Sequence, residues 1–148
     1  MLVSCTREAV FAGQLRYQID GELGDFGHCH CRSCQKASGS AYAANAPADR
    51  AAFRLISGAG ELREFESSPG KVRVFCGHCG APLYAYLRAS VDVLRIRLGT
   101  LDTPLARQPK AHTWVSQMAS WEVIEPILPR YPEWAPKGVL HQKGSRQP

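Results

Sequence analysis

Apolar and polar residues alternate one by one along much of this chain, which is the period of a strand with one buried face. Between Gly13 and the turn Asp20-Gly21, Leu15, Tyr17 and Ile19 alternate with Gln14, Arg16 and Gln18. Lys71-Val72-Arg73-Val74-Phe75-Cys76 alternates in the same way. Ala41–Ala46, Phe53–Ser57, Leu62–Ser67, Ala81–Tyr86 and Val91–Leu98 read as further short strands. Gly58-Ala59-Gly60, Ser68-Pro69-Gly70 and Gly99-Thr100 supply the turns between them. Short strands punctuated by Gly and Pro predict a mostly β, antiparallel domain. No helical period holds over three turns before residue 115. Gln35–Ser40 is short and rich in Ser and Gly, so one helical turn at most is expected there. Trp114 and Trp121 flank a segment expected to pack across the sheet as core. Pro126, Pro129, Pro132 and Pro136 make the C-terminal stretch irregular. The expected organisation is one domain over 1–136 and a basic, mobile tail over 137–148.

The cysteines change this picture. His28-Cys29-His30-Cys31-Arg32-Ser33-Cys34 places three of the six at the spacing C-x-C-x2-C. In an extended segment Cys29 and Cys31 face one way, with His28 and His30 opposite. A turn after Cys31 then brings Cys34 back towards them. Three converging thiolates suit a soft ion that prefers tetrahedral coordination, such as zinc, and leave its fourth position open, as in a catalytic centre. Cys76-Gly77-His78-Cys79-Gly80 is a second cluster, a C-x2-C knuckle whose glycines allow a tight turn.

Charge narrows the function classes. The net charge is +5, but Lys137, Lys143 and Arg146 of the tail supply +3 of it, which argues against nucleic acid as a partner. No apolar run is long enough for a membrane helix, so no membrane partner is expected. Arg7 and Glu8 interrupt the region where a secretory signal needs continuous apolar residues. The expected compartment is the cytoplasm, where clustered cysteines point to metal or catalysis more than to disulfides.

Several motifs together carry a resemblance. They are Gly13-x-Leu15-Arg16-Tyr17, the cysteine cluster with its continuation Gln35-Lys36-Ala37-Ser38-Gly39-Ser40, and Phe75-Cys76-Gly77-His78-Cys79-Gly80. Gly99-Thr100-Leu101-Asp102, His112-Thr113-Trp114 and Trp121 follow them. Over roughly residues 8–125 the chain resembles the glutathione-dependent formaldehyde-activating enzyme family, which includes centromere protein V. The resemblance implies a β-tent fold, zinc binding and carbon–sulfur lyase chemistry on S-hydroxymethylglutathione. It also implies that Cys29, Cys31 and Cys34 match the catalytic zinc ligands, and that Cys76 and Cys79 match half of a structural zinc site. The family's other structural pair falls on Val10 and Ala12, which cannot ligate metal. Cys5 is one thiol and cannot replace two.

Five clustered thiols therefore remain: Cys29, Cys31, Cys34, Cys76 and Cys79. One zinc per chain is expected. Either the first three hold it with an open position, or Cys76 and Cys79 close the site over two of them. The first arrangement implies a zinc-dependent carbon–sulfur lyase acting on an adduct of a glutathione-like thiol. The second fits a non-catalytic zinc-stabilised module that binds protein or nucleic acid. An anionic substrate needs cations, and Arg32, Lys36 and Arg73 are the candidates nearest in sequence. His28, His30 and His112 are candidates for acid–base or supporting roles, and His78 is expected to be exposed.

Overall fold

The computed structural model describes residues 5–9 and 13–140. Among the described residues ten strands form two sheets. They are β1 (Cys5–Ala9), β2 (Arg16–Asp20), β3 (His28–Cys29), β4 (Ala43–Asp49), β5 (Phe53–Ser57), β6 (Leu62–Ser68), β7 (Lys71–Cys76), β8 (Pro82–Leu87), β9 (Ser90–Arg97) and β10 (His112–Thr113). The smaller sheet has the order β1-β2-β5 and the larger one β10-β3-β4-β9-β8-β7-β6. The mostly β class expected from the alternation is what forms. One pairing departs from the antiparallel expectation, because β10 runs parallel to β3 with His112 beside His28 and Thr113 beside Cys29.

The alternation becomes two faces of the large sheet. Val72, Val74 and Cys76 of β7 join Leu94 and Ile96 of β9, Ala46 and Ala48 of β4, and Leu83 and Tyr84 of β8 in one buried cluster. Leu15, Tyr17 and Ile19 from β2 complete it, so the small sheet packs on that face. Fully burying side chains of this size contributes about 1.5–3 kcal/mol each. A hydrogen-bond chain ties the sheets: the Tyr17 hydroxyl bonds the Thr100 Oγ1 at 2.6 Å, and Thr100 donates to the Arg97 carbonyl at 2.8 Å.

The opposite face follows from the register, since directly paired residues point the same way. Asn45 pairs with Arg97, Arg95 with Ala85, Ala85 with Arg73, and Lys71 with Leu87. One lysine and three arginines thus emerge on the side away from the apolar cluster.

The first cysteine cluster carries a helix longer than expected. α1 spans Arg32–Ser38, with Cys31 as N-cap, its sulfur accepting from the Cys34 N–H at 3.4 Å. Gly39 closes it in the left-handed conformation (φ 61°), where glycine avoids the Cβ penalty. Burial of Cys34 and Gln35 supplies the tertiary support that seven isolated residues lack. Two other expectations shift. The strand expected over Ala41–Ala46 runs over Ala43–Asp49. Trp121 is not core but 70% exposed. Val10, Ala12 and the tail residues 141–148 lie outside the described residues.

Candidate metal centre and its basic cavity

The backbone around Gly27 sets the position of the cysteines. His28 N–H donates to the Ala111 carbonyl and His30 N–H to the Thr113 carbonyl, both at 2.9 Å. A Cβ at Gly27 would lie 2.6 Å from the Ala111 oxygen, so only glycine permits this approach. Asp25 fixes the same junction from outside: its carboxylate, 10% exposed, meets Lys110 at 2.6 Å and Arg107 at 3.3 Å. Beyond the cysteines, Gln35 donates to the His30 carbonyl at 2.5 Å and the Gln117 carbonyl at 2.8 Å. Gln117 accepts from the Arg32 N–H at 2.9 Å, which locks α1 to the chain after β10.

Within this frame the sulfurs of Cys29, Cys31 and Cys34 lie within 4.8 Å of one another. This is the one such group of metal-capable ligands among the described residues. Cys31 accepts from Cys29 and from Cys34, which holds its thiol well below the usual range. Cys29 is pushed up because it donates to Cys31 and Cys34 and because it is buried. Cys34 gains from the Cys29 hydrogen bond, but donation to Cys31, burial and the Cys31 charge push it up on balance. Tetrahedral zinc–thiolate bonds of about 2.3 Å place sulfurs about 3.8 Å apart, so the trio fits zinc with a small contraction.

The trio opens on a cavity of about 430 Å³. Lys71, Arg73 and Arg95 from the sheet face line it, together with Asn45, Trp114 and Trp134, and no carboxylate among the described residues does. Burial holds Lys71 and Arg95 below their usual values, and the charge on the thiol sulfurs partly offsets it. Arg97, 6% exposed, lies on the same face and senses all three sulfurs. Trp114 is the sole described non-glycine residue at positive φ (57°). That strained position is held by its N–H bond to the Glu133 carbonyl at 2.9 Å, and its ring meets Trp134 edge-on at 6.0 Å.

The other nominated residues lie elsewhere. Cys76 belongs to the apolar cluster between the sheets, and Cys79 packs against that cluster. Neither lines the cavity. The knuckle itself closes as a turn, with Gly80 N–H donating to the Cys76 carbonyl at 2.7 Å. Cys29, Cys31, Cys34, Cys76 and Cys79 are free thiols, none of them in a disulfide. Of the three cations nominated from sequence, Arg73 lines the cavity, whereas Arg32 and Lys36 are exposed on α1. The histidines gather on the reverse side of β3. His30 Nε2 and His112 Nδ1 are 2.9 Å apart, and His28 stacks on Tyr42 at 4.0 Å. Burial, followed by the neighbouring His112 and His30, lowers His28 to about 4. His78 is exposed, as expected. Sequence reasoning missed Lys71, Arg95, Arg97, Asn45 and Trp134. The signal was present, since Lys71/Arg73 and Arg95/Arg97 are charges at period two within strands.

A family model for the glutathione-dependent formaldehyde-activating enzyme matches residues 6–117. The chain belongs to that family. No curated protein matches it. A crystal structure of a Rhodobacter sphaeroides protein shares the fold with a TM-score of 0.56 at 19% identity, covering 68% of this chain and 91% of that one. The matched span takes in all three cysteines of the trio and the four cations of the sheet face. It ends at Gln117, well before Trp134 of the cavity lining. No helix among the described residues is long and apolar enough to cross a membrane.

Proposed function

We propose that this member of the family is a zinc-dependent carbon–sulfur lyase acting on small thiol adducts such as S-hydroxymethylglutathione. The observation that carries the reading is the convergence of three sulfurs at the wall of a basic cavity. Cys29, Cys31 and Cys34 hold one zinc. A closed structural site would need a fourth sulfur, and Cys76 and Cys79 lie outside the cluster. When bound, the zinc supplies Lewis acidity that stabilises a substrate sulfur as its anion.

The chain's own residues do the rest. Lys71, Arg73 and Arg95 attract and orient the anionic thiol and offset the negative charge that the sulfur gains as its bond to carbon breaks. Trp114 and Trp134 form an apolar rim that restricts water at the reacting carbon. In the releasing direction the carbon–sulfur electron pair moves to sulfur, the hydroxyl oxygen becomes the aldehyde oxygen, and its proton passes to water. Among the described residues no histidine or carboxylate lines the cavity. The described residues of the cavity contribute charge and position.

The test is zinc analysis combined with NMR exchange spectroscopy of glutathione and formaldehyde. The wild-type protein should carry about one zinc and exchange the adduct faster than buffer. Cys31→Ser should lose both properties and stay folded. A zinc content near two, or an exchange rate equal to that of buffer, overturns the reading.

A further inference from the structure

The cavity beside the sulfurs is sorted by chemistry along the large sheet, whose order is β10-β3-β4-β9-β8-β7-β6. Among the described residues its charged lining, Lys71, Arg73 and Arg95, stands on β7 and β9, beyond β4. Its aromatic lining is Phe26, Trp114 and Trp134, and all three belong to the opposite end. Phe26 lies just before β3, and Trp114 follows β10 directly. Trp134 arrives there because the chain before it runs along the outer side of β10. The His112 N–H donates to the Pro129 carbonyl at 2.8 Å, and the Tyr131 N–H donates to the His112 carbonyl at 2.9 Å. The cysteines stand between the two ends, on β3 and at the start of α1.

A sulfur adduct reaching the trio has two arms, the body of the thiol and the adduct carbon. The anionic body of glutathione takes the end that holds Lys71 and Arg95. The adduct carbon is left facing the tryptophans. Formaldehyde places only a hydroxymethyl group there, which makes little use of an aromatic wall. Yet Trp114 is held at φ 57°, a strained position for a bulky residue, and strain of this kind gathers at functional sites. Trp134 is 37% exposed, so it has apolar surface left for a ligand to cover. It also lies beyond Gln117, where the family match ends, so this part of the wall belongs to this chain rather than to the matched pattern.

We propose that the cavity selects adducts of aldehydes that carry an apolar substituent, branched or aromatic, over the adduct of formaldehyde. This rests on the lyase reading above and names the substrate class of the same site. Trp114 and Trp134 are the specificity-determining residues, because they cover the substituent on the reacting carbon. The step is the one already written: the carbon–sulfur electron pair goes to sulfur, the hydroxyl oxygen becomes the carbonyl oxygen of the apolar aldehyde, and its proton goes to water.

The test uses the zinc-loaded, full-length protein and NMR exchange spectroscopy, with glutathione held constant and the aldehyde varied. Each acceleration is divided by the rate of the same adduct in buffer, which removes intrinsic reactivity. The adduct of 3-methylbutanal should be accelerated at least tenfold more than that of formaldehyde. The adduct of propanal should be accelerated at least threefold more than that of glycolaldehyde, which has a hydroxyl where propanal has its methyl. Each buried methylene is worth roughly fourfold, so these margins need only part of the added carbon to be buried. Trp134→Asn should cut the first ratio at least threefold with zinc content unchanged, and Trp134→Leu, which keeps an apolar group, should retain more of it. Smaller margins in the wild type, or a ratio unmoved by Trp134→Asn, overturn the selection and leave the lyase reading standing, since the adducts are still accelerated. A preference that follows the thiol instead, with the formaldehyde adduct of phenylmethanethiol favoured tenfold over that of glutathione, overturns it in the same way. Acceleration of no adduct at all overturns both.

Discussion

Three alanine substitutions at glycines separate crowding from backbone conformation in the placement of the cysteines. At Gly27 the new Cβ would sit 2.6 Å from the Ala111 carbonyl oxygen, with the Ala111 carbon at 3.4 Å. An ordinary carbon–oxygen contact is longer by about 0.6 Å or more, and both atoms met are backbone, so β10 has to move off β3. The movement strains the His28–Ala111 and His30–Thr113 hydrogen bonds. Overpacking costs about 1–3 kcal/mol, and each weakened buried bond adds up to about 1 kcal/mol. At Gly39 nothing lies within 4 Å, but φ is +61°, so alanine there costs about 1–2 kcal/mol of backbone strain with no displacement. At Gly60 nothing lies within 4 Å and φ is ordinary, so alanine should be neutral or slightly stabilising. Urea unfolding gives the three stabilities, and competition with a chromophoric chelator gives zinc affinity. Gly27→Ala should lose the most stability, with Tm lower by about 4–12 °C, and should weaken zinc binding because Cys29 moves with β3. Gly39→Ala should lose stability with zinc affinity nearly intact. A Gly27→Ala protein as stable as Gly60→Ala would refute the argument that backbone contact with Ala111 sets the cysteine position.

Three further outcomes are expected. Leu94→Ala removes a fully buried side chain from the core beneath Arg95 and should cost about 2–5 kcal/mol in urea unfolding. Gln35→Ala leaves the His30 and Gln117 carbonyls unpaired and should cost about 1–3 kcal/mol, with amide exchange quickening at Arg32; unchanged exchange there would count against the link between α1 and residue 117. His112 is held below its ordinary value first by burial and then by Arg130, against Glu122, which pulls it up, and it faces His28 and His30. The unfolded chain therefore takes up a proton near pH 6.5 that folded His112 resists, so its contribution is present above that pH and is lost as the pH falls below it. His112→Asn should flatten the fall in urea midpoint between pH 7.5 and 5, and an unchanged slope would contradict this.

The strand alternation and the turn glycines placed β5 and β7 at their observed limits and most other strands within two or three residues, because a half-buried strand writes its two faces into every second residue. The spacing of Cys29, Cys31 and Cys34 likewise announced their convergence, because a local bend suffices to bring residues five apart together. Local pattern did not reach α1, whose seven residues are poor helix material and become helical through the Cys31 cap, the Gly39 turn and burial of Gln35. Nor did it reach Trp121, which reads as core and stands in solvent. The basic wall depends on tertiary structure more than any of these. Lys71 and Arg95 lie 24 positions apart, and each looks like the solvent side of an amphipathic strand. They become one surface because β7, β8 and β9 pair in a fixed register, and they become a cavity because α1 and the 114–134 segment fold over that face. A period-two pattern records that a strand has two faces; what covers the polar one is decided by contacts between segments far apart in the chain.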